Sequence, residues 1–237
     1  DKKGFAAPFH FHPEYELTYI TEGKGKRFVG NNMAGFQNDD LVLIGSNLPH
    51  CWKINPLKNY KAGSLVIQFN YDFLGKEFFQ SPEMNLIQKL LIKSASGIEF
   101  RGKRKEHVKE RILSVLNEKD NFKKVMTLLE ILNKLSVTRE YTLLNKKNTV
   151  PIHSDNNRER INKVFAYLVD HFRDEISLNE ASQIIGMTPN AFCKYFKKIT
   201  RKTFMETVID YRINFATQQL VETDKSIADV CFESGFR

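Results

Sequence analysis

Residues 186–202, GMTPNAFCKYFKKITRK, decide how the second half of this chain is organised. Thr188 suits the N-cap of a helix, because its hydroxyl can accept a hydrogen bond from a first-turn amide. Pro189 then falls at the first helical position, where no backbone N–H is needed. The spacing predicts one apolar helix face, formed by Phe192, Tyr195, Phe196 and Ile199. The stretch therefore predicts a tight turn followed by a helix with a packed back.

The opposite side of this predicted helix is basic. Residues 194–202 contain five Lys or Arg residues and no acidic residue. A short helix with a packed back and a basic front is suited to reading the major groove of DNA. A surface helix with ordinary solvated lysines would show the same pattern. The stretch alone leaves both interpretations open.

Length and composition indicate an ordinary globular protein. The 237 residues suggest two domains, and a hydrophobic content of 41% is enough for real cores. The aliphatic runs are too short to span a bilayer, and the first residues do not resemble a signal peptide, so we expect no membrane association. Three cysteines far apart, Cys51, Cys193 and Cys231, argue against a disulfide framework and favour the cytoplasm.

The net charge of +8 is weak support for DNA binding, because most of it lies elsewhere. Residues 151–237 carry 12 basic and 12 acidic residues, whereas residues 1–150 carry 24 basic and 16 acidic ones. Phosphate contacts depend on the local field. The basic cluster at residues 194–202 is therefore the more informative feature.

Residues 1–70 predict an all-β region. Apolar and polar residues alternate there between turns rich in Gly, Asn and Asp, as in a sandwich or barrel. In a strand, positions 10, 12 and 16 point to the same face, and position 50 follows a predicted strand at residues 41–44 and a turn at residues 45–49. These positions hold four candidate ligand-binding residues, His10, His12, Glu16 and His50.

This spacing resembles the first motif of the cupin fold, which is His-x-His, three residues, Glu, six residues and Gly. Gly23 completes the motif here, and the second motif's single His corresponds to His50. Asp39 stands where cupins usually have Gly. In metal-binding cupins the three His and one Glu are ligands. The resemblance therefore implies a divalent transition metal at His10, His12, Glu16 and His50.

Two other interpretations of the four residues stay open. They can form a hydrogen-bonded set inside the barrel, or they can bind a polar small molecule, such as a sugar or another metabolite, without a metal. Three aromatic residues are candidates for the lining of the same barrel, although the apolar core is their ordinary place: Tyr19, Phe28 and Trp52.

Helical periodicity follows the β region. Three helices are predicted at about residues 83–95, 103–116 and 120–137. The apolar stripe of the third is wide enough to cover the barrel and also pair with a second subunit, although packing on the barrel alone explains it equally well. Residues 138–157 are polar and are predicted to be the linker. Helices resume at residue 158, and a Gly turn at residue 186 joins two of them into a helix-turn-helix.

The C-terminal part resembles the DNA-binding domain of the AraC/XylS family of transcription regulators, in which a cupin-type sensor often precedes two helix-turn-helix units. The most specific element is the closing run at residues 227–236, IADVCFESGF. The resemblance places these residues against DNA: Thr188, Asn190, Ala191, Cys193, Lys194, Lys197 and Lys198. Asn190 and Lys194 would read bases, because Asn can pair with adenine and Lys can donate to guanine. Thr188 and the two later lysines would hold phosphates.

The sequence departs from the family pattern in two places. Arg201 replaces the Gly that usually follows the first reading helix, so either the turn there forms without a left-handed residue or Arg201 adopts the left-handed conformation at some cost. The second unit is represented by its first helix and turn, and the sequence ends at Arg237 before a second reading helix.

We therefore expect an α+β protein of several domains. Residues 1–137 would form a cupin-like β-barrel with helices that senses a ligand and dimerises, residues 138–157 the linker, and residues 158–237 an incomplete AraC-type DNA-binding domain. The expected function is a cytoplasmic, homodimeric regulator that binds double-stranded DNA and a small-molecule effector and is not an enzyme. The alternatives are a cupin metalloprotein or metalloenzyme fused to a DNA-binding domain, and a fragment that does not bind DNA.

Overall fold

The computed structural model describes residues 8–54, 62–102, 104–145 and 158–236, and the strands come first in this part of the chain. The strands are β1 (Tyr15–Glu22), β2 (Gly25–Val29), β3 (Asn32–Phe36), β4 (Leu41–Ile44), β5 (His50–Ile54), β6 (Gly63–Phe69), β7 (Ile98–Phe100) and β8 (Tyr141–Leu143). The helices are α1 (Asn85–Lys93), α2 (Arg104–Asn117), α3 (Asn121–Ser136), α4 (Arg158–His171), α5 (Leu178–Gln183), α6 (Pro189–Thr200), α7 (Phe204–Glu222) and α8 (Ile227–Glu233). The expected α+β class is confirmed, with a sheet-rich N-terminal part and a helical C-terminal part.

The strands form two antiparallel sheets. Sheet 1 has the order β6-β1-β4-β7-β8, and sheet 2 has the order β3-β2-β5. A short segment that we call the strap, residues 8–12, lies along the edge of sheet 2. Its backbone is bonded to β5 by two hydrogen bonds between His10 and His50, with N···O distances of 3.1 and 2.8 Å.

Strand alternation gives sheet 1 two buried faces. In β1, Leu17 and Tyr19 pack against α1–α3. Ile20 of β1 and Val42 of β4 point the other way and pack against apolar residues of sheet 2, among them Val29. Because successive side chains point to opposite faces, one strand supplies both cores. Sheet 1 is therefore the layer between the helices and sheet 2.

Sheet 2 is covered on its outer face by the C-terminal helices. Phe28 of β2 belongs to the same apolar core as Phe9 and Phe11 of the strap and the aromatic residues of α4, α6 and α7. The ring centroids of Phe28 and Tyr211 are 6.4 Å apart. The Tyr211 hydroxyl donates a 2.7 Å hydrogen bond to the backbone oxygen of Gly30 in the β2–β3 turn. The N-terminal sheets and the C-terminal helices thus share one core.

Two sequence-based expectations need correction here. The predicted linker at residues 138–157 overlaps β8, which pairs with β7 and extends sheet 1, and Asn145 hydrogen-bonds to the backbone of Val29 and Ser96. Residues 146–157 lie outside the described residues. The aromatics expected to line a barrel also separate: Tyr19 faces α1–α3 and Phe28 faces the C-terminal helices, while Trp52 points between the sheets. Strand alternation explains each assignment.

The helices begin at the residues that capping predicts. The Asp120 side chain accepts from the Phe122 and Lys123 N–H groups at the start of α3. Thr203 and Glu206 form a reciprocal capping box at the start of α7. Among the helices of the described residues, none has the length and apolar character to cross a bilayer.

Candidate functional site

The predicted helix-turn-helix is formed by α5, a tight turn and α6. Gly186 has a φ of 65° in the turn, a conformation that Gly adopts without steric cost. The Thr188 hydroxyl accepts from the Ala191 N–H at 3.4 Å, and Pro189 is the first residue of α6. The local sequence signals therefore place the reading helix where they predicted it.

The apolar back of α6 is fixed in the shared core. Phe192 and Phe196 are fully buried, and the Phe196 ring lies 5.7 Å from Phe165 of α4 and 5.4 Å from Phe204 of α7. All seven residues predicted to contact DNA are exposed on and before α6: Thr188, Asn190, Ala191, Cys193, Lys194, Lys197 and Lys198. The helix thus has the packed back and free front that groove reading requires.

The basic front of α6 is available to an external anion. Within the described residues, Lys194, Lys197 and Lys198 form no salt bridge. Lys202, beyond the end of the helix, is different because its Nζ lies 2.6 Å from Asp210 of α7. Three of the five basic residues of the stretch are therefore free to meet phosphates or bases.

Arg201 closes α6 in the left-handed conformation, with a φ of 62°, which is the second of the two outcomes that the sequence left open. Its N–H donates to the Lys197 carbonyl and ends the helix. A residue with a Cβ pays a steric penalty in this conformation that Gly does not.

The second candidate site lies between the sheets, where His10, His12, His50 and Glu16 meet as expected. The way in which the fold brings them together differs from the expected one. The chain bends at residues 13–14, so His10 and His12 lie on the strap beside sheet 2, whereas Glu16 lies on β1 of sheet 1. The single strand expected to carry all three residues is wrong, and the site is built by two facing layers.

In each of the three histidines, a hydrogen bond between Nδ1 and a backbone oxygen fixes the orientation and the tautomer of the ring. Nδ1 lies 2.8 Å from the Pro8 oxygen in His10, and 2.7 Å from the Leu48 oxygen in His50. In His12 it lies 3.2 Å from the Glu14 oxygen. A carbonyl oxygen only accepts, so Nδ1 carries the proton in all three rings. The Nε2 atoms are therefore left for other partners, which is the arrangement of metal-binding histidines; in His12 this atom lies 3.2 Å from the Gln68 amide nitrogen.

The Glu16 carboxylate adds a negative charge beside these ring nitrogens. Its Oε2 lies 3.1 Å from His12 Nε2, and its Oε1 accepts from Thr18 at 2.6 Å. Burial alone would raise the pKa of Glu16, but its hydrogen bonds to His12 and Thr18 and the charge of His50 hold it well below its ordinary value. A carboxylate facing an imidazole lone pair requires a cation between them, either a proton on His12 or a metal ion.

The donor set fits a transition metal. One ring nitrogen from each of His10, His12 and His50 can be chosen so that the three lie within 4.8 Å of one another. The Nε2 atom of His50 is buried without a hydrogen-bond partner in the described structure. Burial and the neighbouring His50 lower the pKa of His10, which favours the neutral form that binds a metal. Imidazole nitrogens and a carboxylate suit Zn²⁺, Fe²⁺, Ni²⁺ or Mn²⁺.

Two residues of this region were not singled out by the sequence. Gln68 of β6 donates to Glu16 Oε2 at 2.8 Å, and it was missed because it pairs with Glu16 only through the sheet register. Arg27 of β2 is 1% exposed, and its Nη2 donates to Glu99 of β7 at 3.2 Å. The sequence did contain a signal for this ion pair, because Arg27 is a charged residue at a strand position that faces inward.

A cleft of about 820 Å³ separates part of sheet 2 from the C-terminal helices. Its floor is apolar and includes Phe28 and Phe172, and two ion pairs join its sides: Lys26 with Glu222 and Lys53 with Asp170. These ion pairs add polar contacts at the rim of the shared core.

Comparison with known proteins identifies the C-terminal part. Residues 181–237 match the family model described as a helix-turn-helix domain. These residues are therefore similar to an AraC-type helix-turn-helix domain, and the relatives that the chain resembles are helix-turn-helix transcriptional regulators.

The relatives differ in how much of the chain they share. An uncharacterized HTH-type transcriptional regulator of Staphylococcus aureus is 30% identical over 80 residues, which are 34% of this chain and 11% of that protein. The uncharacterized regulator YbfI of Bacillus subtilis is 28% identical over 234 residues, 97% of this chain and 78% of YbfI.

Two solved structures give weak superpositions. ToxT of Vibrio cholerae has a TM-score of 0.37 at 10% identity, covering 97% of this chain and 82% of ToxT. The AraC-like activator CuxR has a TM-score of 0.37 at 9% identity, covering 94% of this chain and 72% of CuxR. Superpositions at this level carry no weight for ligand or mechanism.

The left-handed Arg201 gives a direct stability prediction. Arg201→Gly removes the Cβ that this conformation disfavours, and we expect the free energy of unfolding to rise by about 1 kcal/mol. Arg201→Ala is the matched control, because it removes the same charge and keeps the Cβ. Urea unfolding of the three proteins measures the effect. Equal stability of the Gly and Ala variants would show that Arg201 is not strained.

Proposed function

We propose that this chain is a sequence-specific DNA-binding transcription regulator that responds to a species bound between its two sheets. The observation that supports DNA binding most directly is α6, whose back is buried and whose basic front is free. As a DNA-binding regulator the protein acts in the cytoplasm and needs no catalytic activity.

We assign two roles to the exposed residues of α6. Asn190 and Lys194 lie near the start of the helix and read base edges, because their side chains match the hydrogen-bonding groups of adenine and guanine. Thr188, Lys197 and Lys198 hold the phosphate backbone and position the helix. Ala191 and Cys193 offer apolar contact with bases.

The two roles predict different mutant behaviour. Lys194→Ala should relax base preference at one position, with discrimination reduced by about 1–3 kcal/mol. Lys198→Ala should weaken binding to all sequences and reduce the salt slope by about one. Binding titrations on selected and scrambled duplexes at several salt concentrations measure both, and Lys76→Ala, at an exposed turn, is the control. Unchanged base preference in Lys194→Ala would refute its reading role.

The effector is assigned to the cluster formed by His10, His12, His50 and Glu16. In this cluster the buried Nε2 atom of His50 lies 3.7 Å from Glu16 Oε1 and has no hydrogen-bond partner in the described structure. Apolar side chains occupy the neighbouring space between the sheets, among them Ile20, Val29 and Ile44. The expected sugar or other metabolite would have to displace part of that packing. A single divalent transition metal would not, so a metal ion is our second, more specific candidate for the effector.

The metal candidate has a clear test. We expect one Co²⁺ or Zn²⁺ per chain, with binding lost in His50→Ala and retained in His107→Ala, which alters an exposed histidine of α2. The only tryptophan, Trp52, lies 5.8 Å from the His50 ring, so its fluorescence reports occupancy by Co²⁺. Elemental analysis gives the stoichiometry. Equal metal content in the two variants would rule out this site.

The metalloenzyme alternative differs from the regulator in one observable. A metal-loaded enzyme would turn over a substrate and would do so without DNA. Stabilisation of the chain by a metabolite in the absence of metal would instead favour the metal-free sensor.

A homodimer is also proposed, through the hairpin of α2 and α3. Phe122 is 71% exposed, and Leu113, Leu116 and Met126 of the same hairpin are also exposed. Such a surface is a common interaction site.

The dimer proposal is tested by Phe122→Glu, which places a charge on this surface. We expect a dimer for the unmodified chain and a monomer for the variant in analytical ultracentrifugation, with helix content unchanged. A monomeric unmodified chain would contradict the proposal.

A further inference from the structure

A small cavity lies on the helix side of sheet 1, away from the histidine cluster. Its volume is about 210 Å³, and it is lined by the second half of α1, the C-terminal end of α3 and the strands β7 and β8. Ile98 of β7 belongs to the core between sheet 1 and α1–α3, and Tyr141 of β8 packs against that core. Glu16 faces the other side of sheet 1, where the histidines lie. Sheet 1 therefore separates this cavity from the proposed metal site.

One part of the cavity is apolar. Leu90 of α1, Ile98 of β7 and Leu135 of α3 line it, and each is at most 5% exposed. Leu86, one turn before Leu90, lines it too and is 50% exposed. A ligand that covers Leu86 removes this apolar surface from water. The cavity is smaller than the range of about 300–1,000 Å³ for drug-sized ligands, so its ligand has to be small.

The other part of the cavity is basic. Lys89 and Lys93 line it from α1, about one helical turn apart, and neither forms a salt bridge within the described residues. Lys93 Nζ donates a 2.8 Å hydrogen bond to the Tyr141 hydroxyl and lies 4.5 Å from the centroid of that ring. No residue that lines the cavity is acidic. The cavity therefore carries two positive charges that no carboxylate of its own lining balances.

Two hydroxyl groups of the cavity can donate to a ligand. Thr138 is 7% exposed, and its Oγ1 accepts from the Glu140 N–H at 3.4 Å, but its hydroxyl proton has no acceptor among the described residues. The Tyr141 hydroxyl accepts from Lys93 and likewise donates to no residue of the described ranges. Buried polar groups in folded proteins are normally hydrogen-bonded. The lining thus lacks an acceptor at the place where it has spare donors.

The ends of two helices limit how much negative charge the cavity favours. α1 ends at Lys93 and α3 ends at Ser136, and both residues line the cavity. The last carbonyl groups of a helix carry a partial negative charge, equivalent to about half an elementary charge. They offset part of the charge of the two lysines. A ligand with one negative charge therefore complements the cavity better than a dianion.

We propose that this cavity binds a monocarboxylate with a short apolar chain, as a ligand site separate from the histidine cluster. The carboxylate accepts hydrogen bonds from Lys89, Lys93 and the Thr138 hydroxyl, because ionised carboxylate oxygens only accept. The apolar chain lies on Leu86 and Leu90. The site lies outside the space between the sheets and does not depend on the metal proposed there.

The test is calorimetric titration of the full chain with hexanoate. We expect one site per chain with a dissociation constant on the order of 1 mM, as is usual for a ligand of so few atoms. Hexanol has the same chain without the charge and should bind at least about tenfold more weakly. Dodecanoate, which is too long for the cavity, and inorganic phosphate, which has no apolar chain, should also bind more weakly than hexanoate.

Two variants change single groups of the cavity. Lys89→Gln removes a positive charge at an exposed position, and Thr138→Val removes the hydroxyl while keeping the shape of the side chain. We expect each to weaken hexanoate binding at least about fivefold, because each deletes a hydrogen bond to a charged group. Lys123→Gln, which removes the same charge from an exposed position at the start of α3, is the matched control and should bind as the unmodified chain does.

Two further variants test where the acid binds. His50→Ala alters the histidine cluster, and Arg173→Gln alters the cleft between sheet 2 and the C-terminal helices. Hexanoate affinity within about twofold of the unmodified chain in both would support the cavity beside α1. Loss of binding in either one would place the acid elsewhere and overturn the proposal. Absence of hexanoate binding, or equal affinity for hexanol, would also overturn it, whereas the metal and DNA assays judge the proposed function separately.

Discussion

The structure depends on one apolar contact, the packing of the outer face of sheet 2 and the strap against α4, α6 and α7. Phe9, Phe11 and Phe28 from the N-terminal half are buried with Phe165 and Phe196 from the C-terminal half. Burying an aromatic side chain of this size is worth about 1.5–3 kcal/mol. The contact thus fixes where the reading helix sits relative to the histidine cluster, and it makes the two halves one structural unit.

The same alternation of side chains arranges the rest of the molecule. β1 sends Leu17 toward the helices α1–α3 and Glu16 toward the histidines, and the strap sends phenylalanines one way and histidines the other. In the gap between the sheets, Glu16 accepts hydrogen bonds from Thr18 and Gln68. The histidine cluster is consequently enclosed by two layers, each of which is anchored to a different apolar core.

Local signals in the sequence were enough to predict the helices. Thr188, Pro189 and Gly186 defined the reading helix and its turn, whereas the missing Gly left open whether Arg201 would adopt the left-handed conformation that it has in the structure. The histidine cluster was also predicted as a set of residues. The layer assignment was not, because an alternating strand does not reveal which partner covers each face. Phe28 and Tyr19 therefore looked like barrel lining, and β8 looked like linker, since its three residues pair only through a distant strand.

The shared core is tested most directly by native-state hydrogen exchange on Phe28→Ala. Phe28 belongs to β2, yet its removal should lower the protection of α7 amides near Tyr211, because the cavity opens in the core of the C-terminal helices; a loss of about 3–5 kcal/mol is typical for Phe→Ala. Val66→Ala, at a half-exposed position of β6, is the control and should leave α7 unchanged. Faster exchange confined to sheet 2, with α7 protected as before, would contradict a common core.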